Sequence, residues 1–112
     1  MKIAIIGSRS LIITDLGKYI PPETTEIVSG GAIGVDTSAR AYAEKHGIKL
    51  TEFKPEYEKC GHRFAPLKRN IAIIEYADLV LAFWDGTSGG TAHVINNCKK
   101  IGVPIKVFIK QT

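Results

Sequence analysis

The strongest constraint on this chain is its alternation. Short, β-branched apolar runs give way to glycine-marked turns, and most of these lead into stretches with helical spacing of apolar residues. Lys2 to Ile6 stops at Gly7 and reads as a strand buried on both faces. Thr25 to Val28 reads as a second strand, and Ile48 to Phe53 alternates as a third. Leu79 to Trp84 is the most apolar run and reads as a central fourth strand, and Val103 to Ile109 closes with a fifth. A helix is predicted up to His46, with Ala39, Tyr42 and Ala43 on one face and Gly47 as its stop. Leu67 to Tyr76 places Leu67, Ile71 and Ile74 on a stripe, and Ala92 to Ile101 ends at Gly102. Thr14 to Ile20 reads as a short helix capped by Thr14 or Asp15 and ended by Pro21 and Pro22. Lys54 to Pro66, polar and punctuated by Pro55, Gly61 and Pro66, reads as the longest irregular loop.

Strands alternating with helices through short connections imply a parallel sheet, because parallel neighbours need crossovers and those are right-handed. The expected fold is α/β, a three-layer Rossmann-like domain with a five-stranded parallel sheet of order 3-2-1-4-5. The topological switch then falls between strands one and four. A length of 112 residues suits one such domain and no second one of ordinary size.

Fifteen basic and eleven acidic residues leave a formal charge of +4, which favours anionic ligands without naming one. The C-terminal Lys99, Lys100, Lys106 and Lys110 read as a solvated face. Cys60 and Cys98 follow no metal or redox spacing, so a reduced, cytoplasmic setting is expected, and the Cys60, His62 pair reads as a coincidence of a loop. No apolar run reaches the length of a signal-peptide core or a membrane span.

Ligands of open α/β sheets sit beyond the carboxyl ends of the strands. Three turns there carry the chemistry: Gly7-Ser8-Arg9, Ser29 to Asp36, and Asp85 to Thr91. Glycines let backbone approach a phosphate, and free N–H groups at a helix N-terminus point at the anion. The candidate cradle is Ser88-Gly89-Gly90-Thr91, with hydroxyls of Ser88 and Thr91 as further donors and Gly86 in the turn before it. Its plainer reading is a helix cap. Ser29, Gly30 and Gly31 form a second phosphate-type turn, and Arg9 suits a bidentate phosphate clamp. Asp36 reads first as a helix N-cap and second as a ligand contact. Asp85 is positioned to accept from ribose hydroxyls or act as a general base. Arg69 and Asn70 precede strand four, Trp84 offers a ring for a base or sugar or else a core residue, and His93 reads as facing solvent.

As an ordered set, IIGSR (Ile5 to Arg9), SGGAIGVD (Ser29 to Asp36), Arg69-Asn70, Ala77-Asp78, FWDG (Phe83 to Gly86) and SGGT (Ser88 to Thr91) resembles the SLOG superfamily, most closely its small stand-alone YspA-like members. That superfamily includes the Lonely Guy phosphoribohydrolases, which cleave the N-glycosidic bond of nucleoside monophosphates, and the DprA proteins, which bind single-stranded DNA. The resemblance implies a Rossmann-like fold and a nucleotide-type site, with Arg69 as the counterpart of the Lonely Guy catalytic arginine. The Lonely Guy glycine motif reads PGGxGTxxE and ends in a catalytic glutamate. Here the turn begins at Asp85, carries extra residues before Gly90-Thr91, and reaches Val94 where that glutamate would stand.

The leading expectation is therefore a domain that binds a nucleotide or nucleotide-derived molecule of the ADP-ribose or nucleotide-sugar type, sensing or processing it without a cofactor or metal. The alternative is an N-glycosidase with Asp85 as its carboxylate and Arg69 on the phosphate. DprA-like binding of single-stranded nucleic acid ranks last, no membrane partner is expected, and a homodimer is the expectation by analogy with Lonely Guy relatives.

Overall fold

The computed structural model describes residues 1–110, except the side chain of Cys60. Its strands are β1 (Lys2–Gly7), β2 (Glu26–Ser29), β3 (Lys49–Glu52), β4 (Leu79–Trp84) and β5 (Ile105–Ile109), and its helices are α1 (Val35–His46), α2 (Tyr57–Tyr76) and α3 (Gly89–Ile101). The five strands form one parallel sheet in the order β3-β2-β1-β4-β5, as the alternation predicted. β1 is central: Ile3 pairs with Ile27 on one side and Leu79 on the other.

Because side chains alternate across a strand, the sheet divides the core in two. Ile3, Ile5, Ile27, Leu81 and Phe83 pack with Val35, Ala39 and Ala43 of α1. Ala4, Ile6, Val28, Val80 and Ala82 pack with Ile73 and Ile74 of α2 and Val94, Ile95 and Cys98 of α3. Each large side chain so enclosed contributes roughly 1.5–3 kcal/mol relative to exposure. Burial also pushes the Cys98 thiol up to about 11, so it stays protonated inside the core.

Several elements differ from the sequence reading. Thr14 to Ile20 forms only a single 3-10 turn, Leu16–Lys18, with Asp15 preceding it but making no side-chain cap. Leu11 and Ile13 are buried two residues apart, as in an extended segment, Leu16 is buried in the 3-10 turn, and with Tyr19 they cover the face where a first crossover helix would lie. Tyr19 meets Phe83 edge-on at 5.1 Å and Phe108 at 4.7 Å.

The expected loop from Lys54 to Pro66 is largely helical, since α2 begins at Tyr57 and is interrupted only at Gly61 (φ 75°, ψ 168°). Its buried side is Ala65, Asn70, Ile73 and Ile74, whereas Leu67 is 36% exposed and Ile71 only partly buried. The stripe is thus rotated from the one predicted. β5 begins at Ile105 rather than Val103, because the N–H groups of Gly102 and Val103 both turn back to the Cys98 carbonyl. Among the described residues no helix is long and apolar enough to cross a membrane.

Two side-chain requirements hold the sheet in register. A Cβ on Gly7 would stand 2.3 Å from the Phe83 carbonyl oxygen and 2.6 Å from Val35 Cγ2, so only glycine allows β1, β4 and α1 to meet there. At the opposite end of the sheet the buried Glu26 carboxylate accepts from Tyr76 (2.6 Å) and Thr51 (2.7 Å), tying β2 to β3 and α2. These hydrogen bonds hold its pKa below the ordinary 4.5.

Gly7→Ala is expected to destabilise the protein by about 1–3 kcal/mol, read as a lowered urea midpoint at unchanged slope. A depressed folded-state pKa gives stability that is full above the unfolded value near 4.5 and is lost as pH falls through the folded value. Glu26→Gln should therefore flatten the acid limb of a stability-against-pH curve below about pH 4.5, which thermal unfolding across that range checks.

Candidate functional site

β1, β2 and β4 end at one edge of the sheet, and the turns that follow them meet there, beyond the strand carboxyl ends at the switch between β1 and β4. Between these turns and α2 lies a cleft of about 440 Å³, a size typical of small-molecule sites.

The turn after β1 is locked to the turn after β4. Ser8 N–H donates to the Phe83 carbonyl at 3.0 Å, and Asp85 N–H donates to Ser8 Oγ at 3.1 Å. Ser8 Oγ lies 2.8 Å from Ser88 Oγ, which donates to Thr91 Oγ1 at 3.1 Å. Three hydroxyls thus form one chain along the cleft. Ser88 stands at the N-cap position of α3 but makes no side-chain cap. Asp85 braces the turn that precedes the helix: its Oδ1 accepts from Thr87 N–H (2.9 Å) and Ser88 N–H (2.8 Å), while Ser10 Oγ donates to Oδ2 at 3.3 Å. These donors hold the Asp85 carboxyl down at about 2.

α3 starts at Gly89, three residues before the predicted Ala92, so Gly89, Gly90 and Thr91 form its first turn. Their N–H groups have no intrahelical acceptor, and the space where a side chain on either glycine would stand is open. Trp84 lies apart from the cleft: its ring packs in the core against α3, and its Nε1–H donates to the Ser88 carbonyl at 3.1 Å, anchoring the turn. His93 is partly buried rather than solvent-facing, with Nδ1 enclosed and without a hydrogen-bond partner among the described residues.

On the other wall, Arg69 reaches from α2 under the turn after β2. Its Nη1 donates to the Gly30 carbonyl at 2.9 Å and its Nε to Asn70 Oδ1 at 2.9 Å. A Cβ on Gly30 would stand 2.4 Å from that Nη1 and 3.1 Å from Asp36 Oδ2, which is why this position is glycine. Asp36 is not the N-cap of α1. Gly34 is, and Asp36 is the second helical residue, its Oδ2 accepting from Ala32 N–H at 3.1 Å. At 8% exposure, burial pushes its carboxyl above the ordinary 3.8, with the Ala32 N–H and the Arg69 charge pulling the other way. Burial lowers Arg69 in turn.

Arg9 is exposed, lines the same cleft, and has no acidic partner among the described residues. Gly34 positions it: at φ 78° a Cβ there would stand 2.4 Å from the Arg9 carbonyl oxygen, so the two turns are in backbone contact.

The cleft therefore gathers Gly7, Ser8, Arg9, Gly30, Asp36, Arg69, Asn70, Asp85, Ser88, Gly90 and Thr91 of the residues singled out from sequence. Ser29 is fully buried beneath it, Gly31 faces Glu52 and Lys54 on its far side, and Gly86 and Gly89 shape the β4–α3 turn without lining it. Sequence reading missed Gly34, Ser10, Ala32 and Leu67. Of these only Gly34 carried a signal, as the third glycine of its motif. Val94 lines the cleft wall, so the helix presents a methyl surface where the resemblance sought a carboxylate. Among the described residues no group of three His, Cys, Asp or Glu is placed to hold a metal, and the Cys60 side chain of the Cys60, His62 pair lies outside those residues.

The chain is 34% identical over 88 residues to the Gene 61 protein of Mycobacterium phage D29, an alignment covering 73% of this chain and 70% of that protein. The chain belongs to the Gene 61 protein family. No family model matches it, and no solved structure matches it.

In this Gene 61 family member the two cleft aspartates are held in opposite directions. A carboxyl-carbon NMR titration should give Asp85 a midpoint near 2 and Asp36 one above 3.8. Asp85→Asn should leave the Asp36 midpoint raised, since burial causes it.

Proposed function

We propose that the protein binds a nucleotide or nucleotide-derived ligand, of the ADP-ribose or nucleotide-sugar type, through its phosphate in the cleft beyond β1, β2 and β4, and senses or processes it. The observation that carries this reading is a cation, Arg9, in no ion pair among the described residues and lining the same cleft as the open first turn of α3 and the Ser8, Ser88, Thr91 hydroxyl chain. A phosphate needs this combination: convergent N–H donors at a helix N-terminus and a guanidinium able to take two oxygens at once. The SLOG resemblance of the three turns supports the same ligand class.

In titration calorimetry with AMP and ADP-ribose, Arg9→Ala should weaken binding by the worth of a charged hydrogen bond, about 1.5–3 kcal/mol, or roughly tenfold to a hundredfold. Thr91→Val should weaken it less, because its hydroxyl also serves Ser88. Affinity unchanged in both variants would remove the ligand from this cleft.

A second reading, N-glycosidic cleavage of a nucleoside monophosphate, draws support from Asp36. It is the buried, raised carboxyl beside Arg69. Asp85, held at about 2 and occupied by four donors, is a poor proton acceptor at neutral pH. Release of free base that Asp36→Asn abolishes and Asp85→Asn spares is the expected pattern for this activity. No release from any nucleoside monophosphate at high protein concentration rules it out.

A further inference from the structure

A second cavity, of about 560 Å³, opens on the far side of Arg69, with Phe53, Ala65 and Ala72 as apolar wall and Lys54 and Lys68 as cations. The carboxylates on its lining are already engaged. Glu52 takes Arg40 through two contacts of 2.7 and 3.1 Å, and Glu56 pairs with Lys59 at 3.1 Å. Lys54 and Lys68 are exposed and in no ion pair among the described residues, so the cavity keeps two uncompensated positive charges.

The partition between the two cavities is built from Arg69, Gly30 and Gly31. Arg69 lines both, and its Nη1 donates to the Gly30 carbonyl at 2.9 Å and the Phe53 carbonyl at 3.5 Å, leaving Nη2 without a protein partner among the described residues. Gly30 faces Arg69 and Asp36 on the first side, and Gly31 faces Glu52 and Lys54 on the second. Arg69 belongs to both linings, and its guanidinium stands between the two cavities within reach of a ligand in either. Basic groups lie on the near side (Arg9), on the partition (Arg69) and on the far side (Lys54, Lys68).

We infer that the two cavities hold two parts of one ligand, a nucleotide carrying phosphoryl groups at two separate positions, with Lys54 and Lys68 taking the second phosphate. This rests on the phosphate reading of the first cleft. Phe53, held by its ring contact with Tyr76 at 5.4 Å, and the partly buried Ala72 offer surface to the apolar face of a sugar or base.

The test compares AMP with adenosine 3′,5′-bisphosphate by titration calorimetry on the wild type, Arg9→Ala, and the double variant Lys54→Ala/Lys68→Ala. Both lysines are exposed, so unchanged thermal unfolding is expected for the double variant. The wild type should bind the bisphosphate at least tenfold more tightly than AMP. The double variant should lose that preference while binding AMP as the wild type does, and the preference should shrink with added salt. Equal affinity for the two ligands, or a preference that survives loss of both lysines, overturns the inference while leaving an Arg9-dependent AMP site intact. If neither ligand binds the wild type, the first-cleft reading falls and the inference falls with it.

Discussion

At Gly7 the backbone of β1 runs so close to the Phe83 carbonyl and the Val35 side chain that no side chain fits between them. The rest of the molecule is arranged around that contact. It sets β1 against β4 at the end of the sheet where the candidate site lies, and it brings the N-terminus of α1 down onto the same point. Ser8 then finds both the Phe83 carbonyl and the Asp85 N–H within hydrogen-bond reach, and Gly34 meets the Arg9 backbone. Loosening one contact would move three turns together, because each is a neighbour of the other two.

The cleft combines this rigidity with polar groups that are expensive to bury. Asp36, Asn70, Ser8 and Thr91 are all under a tenth exposed. Burial of such groups is tolerable only when they are hydrogen-bonded, and here each finds a partner in the neighbouring turns or helix: Asp36 takes the Ala32 N–H, Asn70 takes Arg69, Ser8 takes Asp85 N–H, and Thr91 takes the Ser88 hydroxyl. Arg9 stands outside this closed set. A cation without an acidic partner among the described residues, beside a preorganised group of donors, is the arrangement that points toward an anion from outside.

Most of the architecture was legible in the residues. The apolar runs that became β1, β2 and β4 needed little tertiary help, being buried on both faces and ended by glycine or a polar turn. The failures have identifiable causes. Leu11 and Ile13 in an extended path, and Leu16 in a single turn, cover a sheet face, which local periodicity between Thr14 and two prolines does not disclose. Gly61 and Pro66 mark breaks in isolation, yet helix continues through Pro66, because Ile73 and Ile74 pack in the second core layer and Ala65 and Asn70 are buried beside it. A turn residue constrains its own backbone angles; it does not decide whether the flanking segments have a surface to bury.

The sequence by itself determined the parallel sheet, its strand order and the three glycine-rich turns, since these follow from apolar run length, β-branching and the conformational freedom of glycine. Only the tertiary structure decided which of the turn residues share a cleft. It tied the Asp85 carboxylate to the backbone of the turn that follows, moved Asp36 from a helix cap to a buried position beside Arg69, and turned Trp84 inward. It also set Lys54 and Lys68 around a second cavity that shares Arg69 with the first cleft. These outcomes depend on distances between segments far apart in the chain, and the pKa of a carboxyl or the pairing of a cation is set by what folding brings within a few ångströms, which no local pattern encodes.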